Sequence, residues 1–401
     1  MKNVPELRFP EFEGEWEEKQ FADFTKINQG LQIAINERKT EYSPELYFYI
    51  TNEFLRPNSQ TKYFIENPPQ SVIANKEDIL MTRTGNTGKV VTNVFGAFHN
   101  NFFKIKFDKN LYDRLFLVEV LNSSKIQNKI LSLAGSSTIP DLNHSDFYSI
   151  SSSYPLLREQ QKIGDFFSKI DRQIELQEQK LELLQQQKKG YMQKIFSQEL
   201  RFKDENGEDY PDWKEKKLGD ITEQSMYGIG ASATRFDSKN IYIRITDIDE
   251  KSRKLNYQNL TTPDELNNKY KLKRNDILFA RTGASTGKSY IHKEEKDIYN
   301  YYFAGFLIKF EIDEQNNPLF IYQFTLTSKF NKWVKVMSVR SGQPGINSEE
   351  YAKLPLVLPN KLEQQKIAKF LDRFDRQIEL EKQKIEILQQ QKKGLLQSMF
   401  I

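Results

Sequence analysis

Residues 171–190 read DRQIELQEQKLELLQQQKKG, and residues 375–394 read DRQIELEKQKIEILQQQKKG. Sixteen of these twenty positions are identical at an offset of 204. The match continues upstream, where REQQKIGDFFSKI (158–170) parallels LEQQKIAKFLDRF (362–374), with Pro155 and Pro359 just ahead of each copy. Self-similarity this long and this ordered means that one plan is used twice in the chain.

Each copy lacks proline and is rich in Glu, Gln, Lys and Leu, which predicts a helix of about forty residues, roughly 60 Å long. Stepping alternately by four and three residues picks out Ile163, Phe167, Ile170, Ile174, Gln177, Leu181, Leu184, Lys188, Tyr191 and Ile195. The second copy gives Ile367, Leu371, Phe374, Ile378, Glu381, Ile385, Leu388, Lys392, Leu395 and Met399. This is a coiled-coil seam whose polar breaks recur at the same steps. A helix of this length needs a partner for its apolar face. The economical partner is the other copy, antiparallel, holding two globular domains at opposite ends of a rod. A linker or a zipper between two chains is the alternative. The QQQKK runs (185–189 and 389–393) are either solvated surface or a face that a partner's helices cover.

Working outward, the segments ahead of each helix also correspond, more loosely. LRFPEFEGEWEEKQFADF (7–24) parallels LRFKDENGEDYPDWKEKKLGDI (200–221), aligning Trp16 with Trp213 and Asp23 with Asp220. LYFYITN (46–52) parallels IYIRITD (241–247), and NKEDILMTRTGNTGKV (75–90) parallels KRNDILFARTGASTGKS (273–289). DLNHSDFYSI (141–150) matches GINSEEYAKL (345–354). The expected organisation is a globular domain over 1–157, a helix over 158–197, a second domain over 198–360 and a second helix over 361–401. Both domains read as α+β. Strands are predicted at 47–51, 78–82, 102–107, 241–245, 276–280 and 303–310, with short helices near 112–131 and 318–336.

The 401 residues suffice for two or three domains, and with 38% hydrophobic residues they can bury real cores. No apolar run approaches the ~20 residues of a membrane span, and the first residues carry no signal-peptide core. A chain without cysteine suits a reducing cytoplasm. The scattered His99, His144 and His292 offer no transition-metal cluster. A net charge of +4 permits nucleic-acid binding without demanding it. Aromatics interleaved with Lys, Asn and Ser, as in FHNNFFKIK (98–106) and YNYYF (299–303), suit it too, although β-rich cores use the same residues.

Catalytic motifs fail on spacing. ARTGASTGKS (280–289) resembles a phosphate loop, but Gly283 and Gly287 enclose three residues where a Walker loop needs four. Its counterpart ends in Val90, with no hydroxyl for Mg²⁺. Asn67-Pro68-Pro69-Gln70 lacks the aromatic with which adenine methyltransferases clamp a flipped base, and it reads as a turn. In PDWKEK (211–216) the acids stand too close for a nuclease, and no Ser-His-Asp arrangement is suggested. No active site is expected in this chain.

The twin DRQIEL…QQQKKG helices, the Trp segments and the DIL…RTG…TGK loops, in this order over essentially the whole chain, resemble the specificity subunit of type I restriction–modification systems. The resemblance implies two target-recognition domains, each reading one half of a bipartite double-stranded DNA site. It implies an antiparallel coiled coil that spaces them and docks two methyltransferase subunits, which motor-nuclease subunits then join. S-adenosylmethionine, ATP and Mg²⁺ would belong to those partners. A kindred subunit serving one partner that both methylates and cleaves, or a coiled-coil scaffold without a DNA role, remains the alternative. The expected DNA-facing residues are Arg83, Thr84, Gly85 and Lys89, with Arg281, Thr282, Gly283 and Lys288. In these loops glycine lets backbone approach the duplex while Arg and Lys meet phosphate. The other reading of each loop is a tight turn whose Arg makes an internal salt bridge. Base contacts are expected on divergent loops, at Lys62 and Tyr63 and at Arg340 and Gln343.

Overall fold

The computed structural model describes residues 3–56, 59–135, 138–293, 298–339 and 342–400. It divides into two compact units, residues 1–179 with 381–401, and residues 180–380. The helices Leu157–Phe196 (central) and Lys361–Met399 (C-terminal) form as expected, and each contributes to both units.

In the first unit, a four-stranded antiparallel sheet runs in the order Thr25–Gln29, Phe102–Phe107, Ile79–Thr82, Val90–Val91. A second sheet runs Tyr63–Ile65, Tyr47–Ile50, Gly96–Phe98, Ile73–Ala74, with one parallel pairing between Tyr47–Ile50 and Gly96–Phe98. The outer strand Glu17–Gln20 pairs with Ser151–Tyr154, just ahead of the central helix. The second unit repeats the first sheet as Thr222–Tyr227, Leu307–Ile312, Ile277–Ala280, Ser289–Ile291, and the outer pair as Lys214–Lys217 with Pro355–Leu358. Its second sheet is reduced to the parallel pair Asn240–Ile243 and Asn300–Phe303, beside the short pair Ala233–Arg235 and Thr261–Pro263.

The run FAGFLIKF, expected as one strand, is broken at Gly305 into the ends of two. Each helix expected near 112–131 and 318–336 is likewise two helices. Asp113 caps the first of its pair, accepting from the Phe116 N–H at 2.9 Å, and Ser123 caps the second. Asn317 and Thr327, each 204 residues on, cap their counterparts, accepting from Phe320 at 2.9 Å and Phe330 at 3.2 Å. Short oxygen-bearing side chains satisfy the free N–H groups of a first turn, so the repeat survives in the caps after the sequence between them has drifted.

The seam is as the four–three spacing predicts. Ile163, Phe167, Ile195, Ile367, Leu371, Ile385 and Met399 are buried. Ile170, Ile174, Leu181, Leu184, Phe374, Ile378, Leu388 and Leu395 are half-buried, and Tyr191, more exposed, sets its ring against Phe370 and Phe374. Within each unit a stretch of one helix lies antiparallel to a stretch of the other, as an ion pair and a ring contact show together, the rings being Phe167 with Phe400 in the first unit and Tyr191 with Phe370 in the second. Lys392 Nζ meets Asp171 at 2.7 Å in the first unit, and Lys188 Nζ meets Asp375 at 2.6 Å in the second. Two of the polar breaks in the seam are these lysines.

Candidate nucleic-acid interface

Each domain is seated on its helices by the same contacts. Glu159, 2% exposed, accepts from the Trp16 indole N–H at 3.3 Å and from Arg8 Nε and Nη2, each at 2.7 Å. Glu363, fully buried, accepts from Trp213 at 3.2 Å and from Arg201 at 2.9 Å. Hydrogen bonds to these carboxylates push both arginines above their ordinary value. One residue on, Gln160 accepts from the Asp113 N–H at 3.0 Å and donates to the Pro155 carbonyl at 2.8 Å. Gln364 repeats this with Asn317 at 2.8 Å and Pro359 at 2.9 Å. The Glu-Gln-Gln of each helix copy is therefore identical because one seat is built twice.

The RTG loops follow the strands Ile79–Thr82 and Ile277–Ala280 and turn alike at their glycines, although the second has one residue more and a short 3-10 turn at Gly283–Ser285. Gly85 (φ +62°) and Gly283 (φ +73°) adopt the left-handed conformation that glycine alone takes without strain. Thr84 bridges to Asp141, and Thr282 to Gly345. Gly88 and Gly287, the glycines of the apparent TGK motif, both have φ +87°. A Cβ on Gly287 would stand 2.5 Å from Val334 Cγ1, and one on Gly88 would stand 2.9 Å from Gln127 Oε1. These glycines admit a packed helix. No phosphate is needed to explain them.

The side chains separate the two loops. Arg83 lies over the Phe103 ring and pairs with Asp141 at 2.7 Å, the internal salt bridge of the turn reading. Gly345 stands where Asp141 does in the first unit, so Arg281 has no carboxylate among the described residues; it lies over the part-exposed Tyr227 ring at 5.0 Å. Lys89 is exposed, whereas its expected counterpart Lys288 is not. Lys288 is 6% exposed, with its ammonium 2.6 Å from Glu250 and 3.2 Å from the Ile248 carbonyl. The expectation that Lys288 meets phosphate is corrected on that ground: the lysine is turned inward and already paired.

Lys62 is exposed at the edge strand Tyr63–Ile65, where the Arg38 guanidinium covers the Tyr63 ring at 5.3 Å. Gln343 is exposed beside Pro344, whose carbonyl accepts from the Gly283 N–H at 2.9 Å, so it borders the RTG loop. Arg340 lies outside the described residues. Sequence reasoning passed over Tyr227, Asp141, Glu159, Glu363, Asp171 and Asp375. The last four stand at matched positions inside the repeat, which is the signal that could have found them.

On the helices some large apolar side chains face outward. Leu176 and Ile387 are about half exposed in the first unit, as are Leu183 and Leu380 in the second. Among the described residues no group of acidic and histidine side chains could hold a metal ion, and no helix is long and apolar enough to cross a membrane. Burial holds the His99 imidazole down to about 4, and its Nδ1 accepts from the Asn101 N–H at 3.1 Å, as a structural histidine does.

The chain is similar to known proteins over its whole length. The type I restriction enzyme MjaVIII specificity subunit of Methanocaldococcus jannaschii is 26% identical, the match covering 98% of this chain and 93% of that protein. The StySPI specificity subunit of Salmonella potsdam is 23% identical over 70% of this chain and 61% of that one. A crystal structure of a type I restriction–modification S subunit from M. genitalium superposes with a TM-score of 0.65 at 17% identity, covering 99% of each chain. A chain from a study of complex assembly in the type I system superposes with a TM-score of 0.51 at 13% identity, over 95% of this chain and 96% of that one. These two share the fold. The family model for the type I restriction modification DNA specificity domain matches twice, at residues 13–186 and 210–390. Two such matches, each spanning a domain and most of the helix that follows it, place the chain in that family: it belongs to the type I restriction modification DNA specificity proteins.

Proposed function

We propose that this chain is the DNA sequence-recognition subunit of a type I restriction–modification complex, with target-recognition domains at 1–157 and 198–360, each reading one half of a bipartite site. The observation that carries the reading is the duplicated seat. Trp16–Glu159–Arg8 and Trp213–Glu363–Arg201 fix two divergent domains on two nearly identical helices in one way. A reader of two different half-sites needs divergent surfaces on a constant frame, and helices of fixed length set the unread gap between them. Recognition is the role of this chain, while methylation, translocation and cleavage fall to two methyltransferase subunits and to motor-nuclease subunits, which bring S-adenosylmethionine, ATP and Mg²⁺. The outward apolar positions, Leu176 and Ile387 in the first unit and Leu183 and Leu380 in the second, give the methyltransferase subunits a patch to cover in each unit. The complex works on host DNA in the cytoplasm.

In this reading Arg281 on Tyr227, with Thr282 and Gly283, meets the DNA backbone in the second domain. Arg83, Thr84 and Gly85 frame a loop from which Lys89 reaches phosphate in the first. Lys62, Tyr63 and Gln343 are candidates for base edges. Co-purification with the partner methyltransferase, followed by mapping of methylated bases in host DNA, tests the function. A split motif that disappears when this chain is deleted is the expected result. Failure to bind a methyltransferase, or methylation indifferent to the deletion, would overturn the reading.

A further inference from the structure

We propose that Glu119 is a positioning residue that seats the first domain on the two long helices as a neutral carboxylic acid, taking the part that the Gln323 amide takes in the second domain. Glu119 lies on the helix Arg114–Asn122, 3% exposed, and Gln323 lies 204 residues on in Pro318–Phe324, fully buried. Each faces the ion pair that locks the helices in its own unit. Lys392 Nζ donates to Glu119 Oε1 at 3.1 Å while paired with Asp171 at 2.7 Å. Gln323 Nε2 donates to Asp375 Oδ2 at 2.7 Å while Lys188 holds Oδ1 at 2.6 Å.

The second cluster holds one cation, one anion and a neutral amide. An ionised Glu119 would leave the first with one negative charge in excess, on a carboxylate that is itself almost fully buried although Asp171 is half exposed. Glu119 Oε2 and Gln323 Oε1 are each buried without a hydrogen-bond partner among the described residues. An amide oxygen tolerates that far better than a carboxylate oxygen, because the desolvation of a charge is much the larger loss. Protonation makes the two clusters equal in charge, while their hydrogen bonds differ: Gln323 donates to Asp375, and Glu119 accepts from Lys392. The charged groups facing Glu119 are Lys392 from the C-terminal helix and Asp171 from the central helix, with the Phe167 ring 6.0 Å from Lys392 Nζ. Burial outweighs the attraction of Lys392, and Asp171 adds repulsion, so the carboxyl is pushed up to about 7.

The seated carboxyl keeps its proton up to about that pH, whereas the released one loses it near the ordinary Glu value. Seating is therefore strongest at and below that ordinary value and weakens as pH rises through about 7. One linked proton changes the opening equilibrium by at most about tenfold per pH unit in this window. The inference does not depend on what the domains bind, so its failure leaves the DNA reading standing.

Hydrogen exchange of the full chain, followed by mass spectrometry from about pH 5 to 8.5 and corrected for the chemical exchange rate, tests it. The wild-type peptide over Arg114–Asn122 should lose protection as pH rises, while the peptide over Pro318–Phe324 stays level. Glu119→Gln should hold the first peptide at its low-pH protection throughout, Glu119→Ala should lose protection at every pH, and Gln323→Glu should confer the pH dependence on the second peptide. Infrared difference spectra of wild type minus Glu119→Gln should show the carbonyl stretch of a protonated acid near pH 6. A Glu119→Gln profile equal to wild type, an unseated or unfolded Glu119→Gln, or an infrared difference showing only carboxylate would overturn the proposal.

Discussion

Lys188 and Asp375 meet at 2.6 Å, and the residues 204 positions away from each, Lys392 and Asp171, meet at 2.7 Å. Aspartate opens the DRQIEL run and the pairing lysine is the first of the two in QQQKK, so the two ends of one sequence motif recognise each other across helices. In a parallel pair the same motif would set Asp beside Asp and Lys beside Lys. The motif thus favours the antiparallel direction and its register, as polar residues along the seam do in other coiled coils.

Asp375→Ala should destabilise the second unit by about 1–3 kcal/mol, because Lys188 and the Gln323 amide both lose an acceptor while staying largely buried. The double change Lys188→Met with Asp375→Leu should cost less than Asp375→Ala alone, since no orphaned charge remains. Denaturant unfolding of the three chains checks the order.

Glu363→Ala should cost about 1–3 kcal/mol, for it strands the buried Trp213 N–H and takes its carboxylate from Arg201, which keeps the Tyr210 and Pro211 carbonyls as acceptors. Glu363→Gln keeps one acceptor for the indole and should cost less than Glu363→Ala. Unfolding monitored by tryptophan fluorescence is the measurement, and Glu159→Ala should behave alike in the first unit.

Arg281→Ala should weaken duplex binding and flatten the dependence of log K on log salt by about 0.9, one phosphate's worth. Arg83→Ala should leave that slope nearly unchanged, because Asp141 already neutralises the guanidinium. Asp141→Asn should free Arg83 and steepen the slope by a similar amount. Titrations of a duplex carrying the mapped site at several salt concentrations decide it, and equal slopes for Arg281→Ala and wild type would return the second loop to a structural role.

Gly287→Ala should destabilise the second unit by about 1–3 kcal/mol, since alanine is strained at φ +87° and its Cβ would press on Val334. Adding Val334→Ala relieves the contact and should recover part of the loss. Melting curves of the single and double variants test the packing role of the TGK glycine.

The offset of 204 and the four–three spacing by themselves determined the duplication, the two long helices and their seam. Periodicity is a property of the chain that burial only reads out, so Ile163, Phe167, Ile367 and Leu371 lie where the spacing predicts. The N-caps Asp113, Ser123, Asn317 and Thr327 were legible in principle but hidden among polar residues of the same kind. Tertiary structure alone decided the fates of the matched loops. Arg83 and Arg281, like Lys89 and Lys288, stand in near-identical local sequence, yet one member of each pair is neutralised and the other is open. The difference comes from Asp141 against Gly345 and from Glu250 beside Lys288, residues far off in sequence or in a divergent loop. Local sequence sets backbone geometry through glycine and hydrogen bonding; the partner of a charge is set by whatever the fold brings within a few ångströms of it.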